Sequence, residues 1–193
     1  IDWHQVVSEI HDPVTTTDEL IPSGETSSYR SNPLGLAEYT LSRKDPAYVG
    51  LAKEIQKAEK ERVQGGHPCQ AFPCLKEVMG TIKEQFAEVN HTNTGFGSTI
   101  FAVKPGDGSA REQAASCQKV LGGWANIANE YATKRYRSNL INWGMLPFLI
   151  PEGELPFTNK DFLFFPGIRS AVEEKAEEIT GYTVKGGSMK AFT

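Results

Sequence analysis

Ser98–Val103 (STIFAV) running into Lys104–Ala115 (KPGDGSAREQAA) is the stretch whose reading decides the fold. The apolar hexapeptide predicts a strand and residues 110–121 predict a helix, so the segment reads as strand, glycine turn, helix. Gly106 and Gly108 permit a tight turn and a close backbone approach. The helix start offers N–H groups that have no intrahelical partner. Arg111 sits in the first turn, where a cation opposes the helix dipole, so a negative partner is expected. A ligand carboxylate or phosphate would supply it in the fork geometry of a guanidinium. A purely structural reading stands beside this one. Ser109-x-x-Glu112 fits a capping box, with Ser109 as N-cap and Glu112 at N3. The loop is not a Walker A motif, because Gly-Lys-Ser/Thr is missing, nor a dinucleotide fingerprint, because Arg111 stands where the third glycine belongs.

Outward from this segment, strands and helices alternate. Trp124–Ala128, Met145–Ile150, Asp161–Phe165, Tyr182–Lys185 and Met189–Phe192 read as strands. Pro147 marks the second of these as an edge strand. Tyr131–Trp143 and Ile168–Ala176 read as helical. Upstream, residues 46–64 read as a helix with Asp45 as N-cap, Pro46 at the first helical position and Gly65-Gly66 as the stop. Residues 75–89 predict a second amphipathic helix, with Leu75, Val78, Met79, Ile82, Phe86 and Val89 on one face. Residues 1–45, punctuated by Pro13, Pro22, Gly24, Pro33 and Gly35, read as irregular. The alternation predicts a layered α/β domain.

The composition narrows the function classes. The chain has 193 residues, 20 Lys+Arg and 24 Asp+Glu, for a formal net charge of −4. That balance argues against a dedicated nucleic-acid binder, which carries a basic stripe. No apolar run has membrane-spanning length. Three cysteines, Cys69, Cys74 and Cys117, fit reduced thiols in a cytoplasmic protein better than a disulfide framework. The CxxC spacing of a zinc site is absent, and His4, His11, His67 and His91 are scattered. Ile1-Asp2-Trp3 is neither an initiator methionine nor a signal peptide, which suggests a fragment of a longer protein.

Three runs taken in order carry a family resemblance: Thr16-Thr17-Asp18 with Arg30 beyond it, Gly108–Glu112 (GSARE), and Ser138–Pro147 (SNLINWGMLP). The chain resembles the C-terminal swivel domain of the aconitase family, which includes aconitase, homoaconitase and isopropylmalate isomerase. That domain carries a TTDH opening, then an arginine, then a GSSRE loop, then a segment of the form R-x-x-N-L-x-x-x-G-x-L-P. The resemblance implies a single swivelling β/β/α layered α/β domain over residues 1–193, with about 45–95 as a helical-hairpin insertion. It implies a hydro-lyase that dehydrates and rehydrates a hydroxy di- or tricarboxylate. Carried onto this sequence, Ser109 is the catalytic base, Arg111 and Arg30 clamp substrate carboxylates, and Asp18 supports the clamp at the site rim. Ala110 occupies the substrate-binding position of the second family serine. The family's iron–sulfur cluster is held by cysteines of other domains, so the cofactor is expected outside this chain and no metal within it. The expected partners are the remaining domains of the parent hydratase, with no nucleic acid and no membrane.

Three departures matter. Ala110 lacks the hydroxyl of the second family serine, Glu19 replaces the histidine of TTDH, and Gln113 replaces the histidine after GSSRE. Glu19 is expected to add negative charge near a site meant for anions. These departures support an alternative, a catalytically decayed member acting as a binding or regulatory module. A third reading is a separate small subunit of an isomerase-type enzyme, which the missing initiator methionine weakens.

Overall fold

The computed structural model describes residues 3–21, 32–42, 44–65, 95–157, 161–166, 168–185 and 188–193. Arg30, Cys69, Cys74 and the helix predicted over 75–89 lie outside the described residues. The described elements run β1 (Trp3–Ile10), β2 (Thr15–Thr16), α1 (Thr17–Leu20), α2 (Pro33–Ala37), α3 (Ala47–Val63), β3 (Phe96–Ala102), β4 (Pro105–Asp107), α4 (Arg111–Val120) and β5 (Gly123–Ala128). They continue with α5 (Lys134–Asn142), β6 (Leu146–Leu149), β7 (Phe162–Phe164), α6 (Ile168–Glu173), β8 (Gly181–Lys185) and β9 (Ser188–Phe192).

Seven strands form one sheet in the order β6-β5-β3-β1-β7-β8-β9. The first four are mutually parallel, and β7, β8 and β9 add on antiparallel. The strand–helix alternation read from the sequence therefore builds two βαβ units, β3-α4-β5 and β5-α5-β6. β6 is an outer strand, as Pro147 requires: a residue without an N–H is tolerated where no further neighbour needs its donor.

The reading of residues 1–45 as irregular needs correction. β1 lies inside the sheet, paired with β3 from Trp3↔Phe96 to Ile10↔Ala102, with a register shift between Val6 and Ser8. The turn-forming residues begin only at Asp12. β1 owes its strand conformation to a partner far along the chain, which local composition does not reveal. Within the same stretch Asn32 caps α2 by accepting a 3.0 Å bond from the Gly35 amide, with Pro33 at the first helical position.

β3 is buried along its whole length and sorts its side chains by alternation. Ile100 and Ala102 face a core that holds Ala52 of α3, Ala114, Ala115 and Cys117 of α4, and Tyr136 and Leu140 of α5. Phe101 faces a second core with Ile127, Ile150, Phe157, Leu163 and Phe165. α3 turns Tyr48, Ala52, Ile55 and Ala58 inward at helical spacing. Its N-cap is Pro46 rather than Asp45, without a side-chain cap bond, and Asp45 accepts the Tyr48 amide through its carbonyl at 3.1 Å. Gly65, at φ +87°, ends the helix in the left-handed region that the glycine pair predicted.

Candidate active site

Two motifs far apart in the chain meet at the end of β3. Thr15 and Thr16 pair in parallel with Pro105 and Asp107 as β2 and β4. The Thr15 amide also donates to the Lys104 carbonyl at 3.0 Å. This ribbon lays the Thr16–Asp18 run beside the glycine loop. Gly108, at φ +125°, presses its backbone against the Thr17 hydroxyl, and a Cβ there would overlap that oxygen. Gly106, at φ +102°, sits directly on the ring of Tyr136. Both glycines are therefore required twice, for a backbone angle that L residues avoid and for contact space.

α1 opens with a capping box at Thr16. The Glu19 amide donates to Thr16 Oγ1 at 3.2 Å, and the Thr16 amide donates to Glu19 Oε2 at 2.8 Å. Lys44 Nζ lies 3.7 Å from Glu19 Oε1 and also pairs with Asp12. The negative charge that Glu19 was expected to add near an anion site has partners of its own. Its carboxylate satisfies the helix start and is paired with a lysine. Asp18 is exposed in the first turn of the same helix.

The other capping box does not form. The N-cap of α4 is Ala110, at φ −82° and ψ 44°, with no side-chain cap bond, so Ser109 and Glu112 do not close the reciprocal pair. Ser109 is exposed on the loop, and among the described residues its hydroxyl has no hydrogen-bond partner. The ten-residue α4 thus presents a first turn whose amides have no capping side chain. Arg111 stands in that turn, half-buried, and its buried Nε has no hydrogen-bond partner among the described residues. A buried N–H of a permanently charged guanidinium left unpaired is costly, and an anion at the helix start would satisfy it. Gln113 is half-buried in this first turn, and its carbonyl accepts the Ser116 hydroxyl at 3.4 Å.

The structure therefore brings α1, which carries Asp18, beside the loop and helix start that carry Ser109, Ala110 and Arg111. From α5, Tyr136 packs against the loop at Gly106, Arg137 and Ser138 are exposed, and Leu140 is buried in the core. Thr17 and Tyr136 support the glycine loop. Thr17 stands in the run that carried the resemblance, but its contact with Gly108 had no signal in the sequence, and Tyr136 reads there as ordinary packing. An open cavity of about 290 Å³ lies at the opposite end of β3, lined by Gln56, Glu59, Phe96, Lys119 and Trp124. There Lys119 Nζ stands 3.4 Å over the Trp124 ring, and burial lowers its pKa.

No three His, Cys, Asp or Glu side chains among the described residues are grouped to hold a metal ion. Cys117 is a buried thiol whose pKa burial pushes up to about 11, far from a ligating thiolate. The described residues do not fit an iron–sulfur cluster. Among them no helix is long and apolar enough to cross a membrane.

The fold is mixed α/β, with a glycine loop that leads into the start of α4. Residues 77–153 match the aconitase C-terminal domain family. The match covers Ser109, Ala110 and Arg111 and begins inside the stretch read as an insertion. An aconitate hydratase A from Streptomyces viridochromogenes is 37% identical over 87 residues, which span 42% of this chain and 9% of that protein. The chain thus matches only a small part of that relative's length. The crystal structure of a 3-isopropylmalate dehydratase from Methanocaldococcus jannaschii shares the fold at a TM-score of 0.50 and 20% identity, over 95% of this chain and 83% of that one. Over residues 77–153 the chain is similar to aconitase C-terminal domains.

Proposed function

We propose that this aconitase-type domain serves a hydro-lyase acting on a hydroxy di- or tricarboxylate, and that the loop Gly106–Arg111 is its carboxylate cradle. The buried, unpartnered Nε of Arg111 at an uncapped helix start carries the reading. A substrate carboxylate seated there accepts from the guanidinium and from first-turn amides. Removing a proton α to that carboxylate develops negative charge on its oxygens, and fixed donors that already point at them lower the barrier. Arg30 is proposed as the second clamp, and Asp18 as a rim residue.

Ser109 is proposed as the base. A serine hydroxyl accepts a proton only as its alkoxide, so it needs strong anion stabilisation. Its exposed position beside Arg111 and the amides of α4 favours that state. The iron–sulfur cluster that the resemblance implies belongs, in this proposal, to other domains of a longer parent protein, as does a cytoplasmic setting. The isolated domain is then inactive. Ala110 favours a second reading, a binding module that has lost catalysis, because the N-cap brings no hydroxyl to the site.

Titration with tricarballylate, followed on the amide signals of Gly108–Glu112, tests the cradle. Saturable shifts that disappear in Arg111→Ala support it, and shifts that survive that change refute the role of Arg111. In the parent enzyme, Ser109→Ala should abolish turnover while cluster content stays unchanged. Unchanged turnover would remove Ser109 as base.

A further inference from the structure

A buried ring of polar side chains lies under the loop. Gln118 Nε2 donates to Tyr136 Oη at 3.0 Å, Tyr136 Oη donates to Asn126 Oδ1 at 2.7 Å, and Asn126 Nδ2 donates to Gln118 Oε1 at 2.6 Å. The ring closes on itself, and each member both gives and accepts a proton. It joins α4, α5 and β5, the three elements packed beneath the site. All three residues are buried, Tyr136 completely. Gln118 donates a further bond to the Ala114 carbonyl at 2.9 Å, one turn along α4 from Arg111. Asn126 donates to the Ala125 carbonyl at 2.9 Å. A fully satisfied buried network of this kind rigidifies what it joins, whereas a purely apolar contact leaves more freedom.

The ring is tied to the loop at its tyrosine. The Tyr136 ring fills the space under Gly106 so closely that a Cβ on that glycine would overlap it. The segment that starts α5 holds the same backbone. Ala132 donates its amide to the Pro105 carbonyl at 3.0 Å, and the Thr133 hydroxyl reaches the Gly106 carbonyl at 3.4 Å. The orientation of Tyr136 therefore sets the height of Gly106, and Gln118 sets the roll of α4, which carries Arg111.

We infer that Gln118, Asn126 and Tyr136 are positioning residues: their closed hydrogen-bonded ring fixes the pose in which the loop presents Ser109 and Arg111 to a carboxylate. This rests on the carboxylate-cradle reading for the ligand, but the hold on the loop can be measured without any ligand. Positioning shells of this type change function by more than their own contacts, because small displacements of donors weaken every bond they make.

The test uses the full 193-residue chain as wild type, Tyr136→Phe and Gln118→Met, with Thr183→Val as control. Thr183, on β8, donates a 3.0 Å bond to the Pro156 carbonyl and shares no partner with the ring. Two quantities are read: hydrogen exchange of the bonded amides that anchor the loop, those of Thr15, Ala114 and Ala132, and tricarballylate affinity at matched melting temperature. Tyr136→Phe and Gln118→Met should each speed exchange of these loop amides by about tenfold or more, with Thr183→Val within about twofold of wild type. Each should also raise the tricarballylate Kd about tenfold, with no change in the control. Loop amides that exchange as in wild type in both variants overturn the inference. So does a loosened loop that binds tricarballylate as well as wild type. If the wild-type chain itself does not bind tricarballylate, the cradle reading falls, and loop exchange alone decides whether the ring holds the loop.

Discussion

At the scale of single residues, the site is decided by which side chains are already satisfied. Glu19 is, through Thr16 and Lys44; Arg111 Nε is not. Ser109→Ala should change the folding free energy by no more than about 0.5 kcal/mol in urea denaturation, because its hydroxyl caps nothing. A loss near 1 kcal/mol would mean that the Ser109–Glu112 capping box forms in solution after all. Gly108→Ala is expected to cost about 1–3 kcal/mol in the same measurement, because φ +125° is strained for alanine and its methyl meets Thr17. Wild-type stability in that variant would refute the close approach. The two glycines of the loop were legible in the sequence as turn residues. The fate of Glu19 was not, because a carboxylate that caps a helix and one that faces a ligand are the same letter.

At the scale of elements, the helices and later strands follow their local patterns. The edge position of β6 was readable from Pro147, and the inward face of α3 from its helical spacing. A short helix such as α1 is different. Four residues cannot sustain themselves, so its cap and its burial decide whether it exists. Thr16→Ala should therefore destabilise by about 1 kcal/mol and speed amide exchange across Thr17–Ile21, while β5 exchanges as before. Equal protection of Thr17–Ile21 in both proteins would show that burial of Leu20 and Ile21 alone holds α1. β1 escaped the sequence reading because its neighbours supply its conformation, and the turn residues that follow it drew the whole region toward a loop.

At the scale of the whole molecule, the helical side buries four groups, among the described residues, that ionise at high pH. Cys117 is pushed up to about 11, and burial raises Tyr48, Tyr131 and Tyr136 above the usual phenol range. Between the ordinary thiol value and the folded one, the unfolded chain has lost its proton and the folded chain keeps it. Stability is therefore full below about pH 9 and falls as pH rises toward 11, by up to about 1.4 kcal/mol per pH unit for one such group. A melting temperature followed from pH 8 to 11 checks this. Cys117→Ala should flatten part of the slope after allowance for its lost packing, and an unchanged slope would assign the effect to the tyrosines.

The sequence by itself determined the α/β alternation, the glycine turn before a helix and the order of motifs that points to the aconitase family. Each of these depends on residues a few places apart, whose periodicity and backbone freedom are written locally. Only the tertiary structure decided that β1 lies inside the sheet, that the threonine run pairs with β4, that Arg111 keeps a buried N–H unpaired and that Gln118, Asn126 and Tyr136 close a ring. Those facts depend on contacts between residues far apart in the chain, where burial removes water and leaves each polar group to find its partner within the protein.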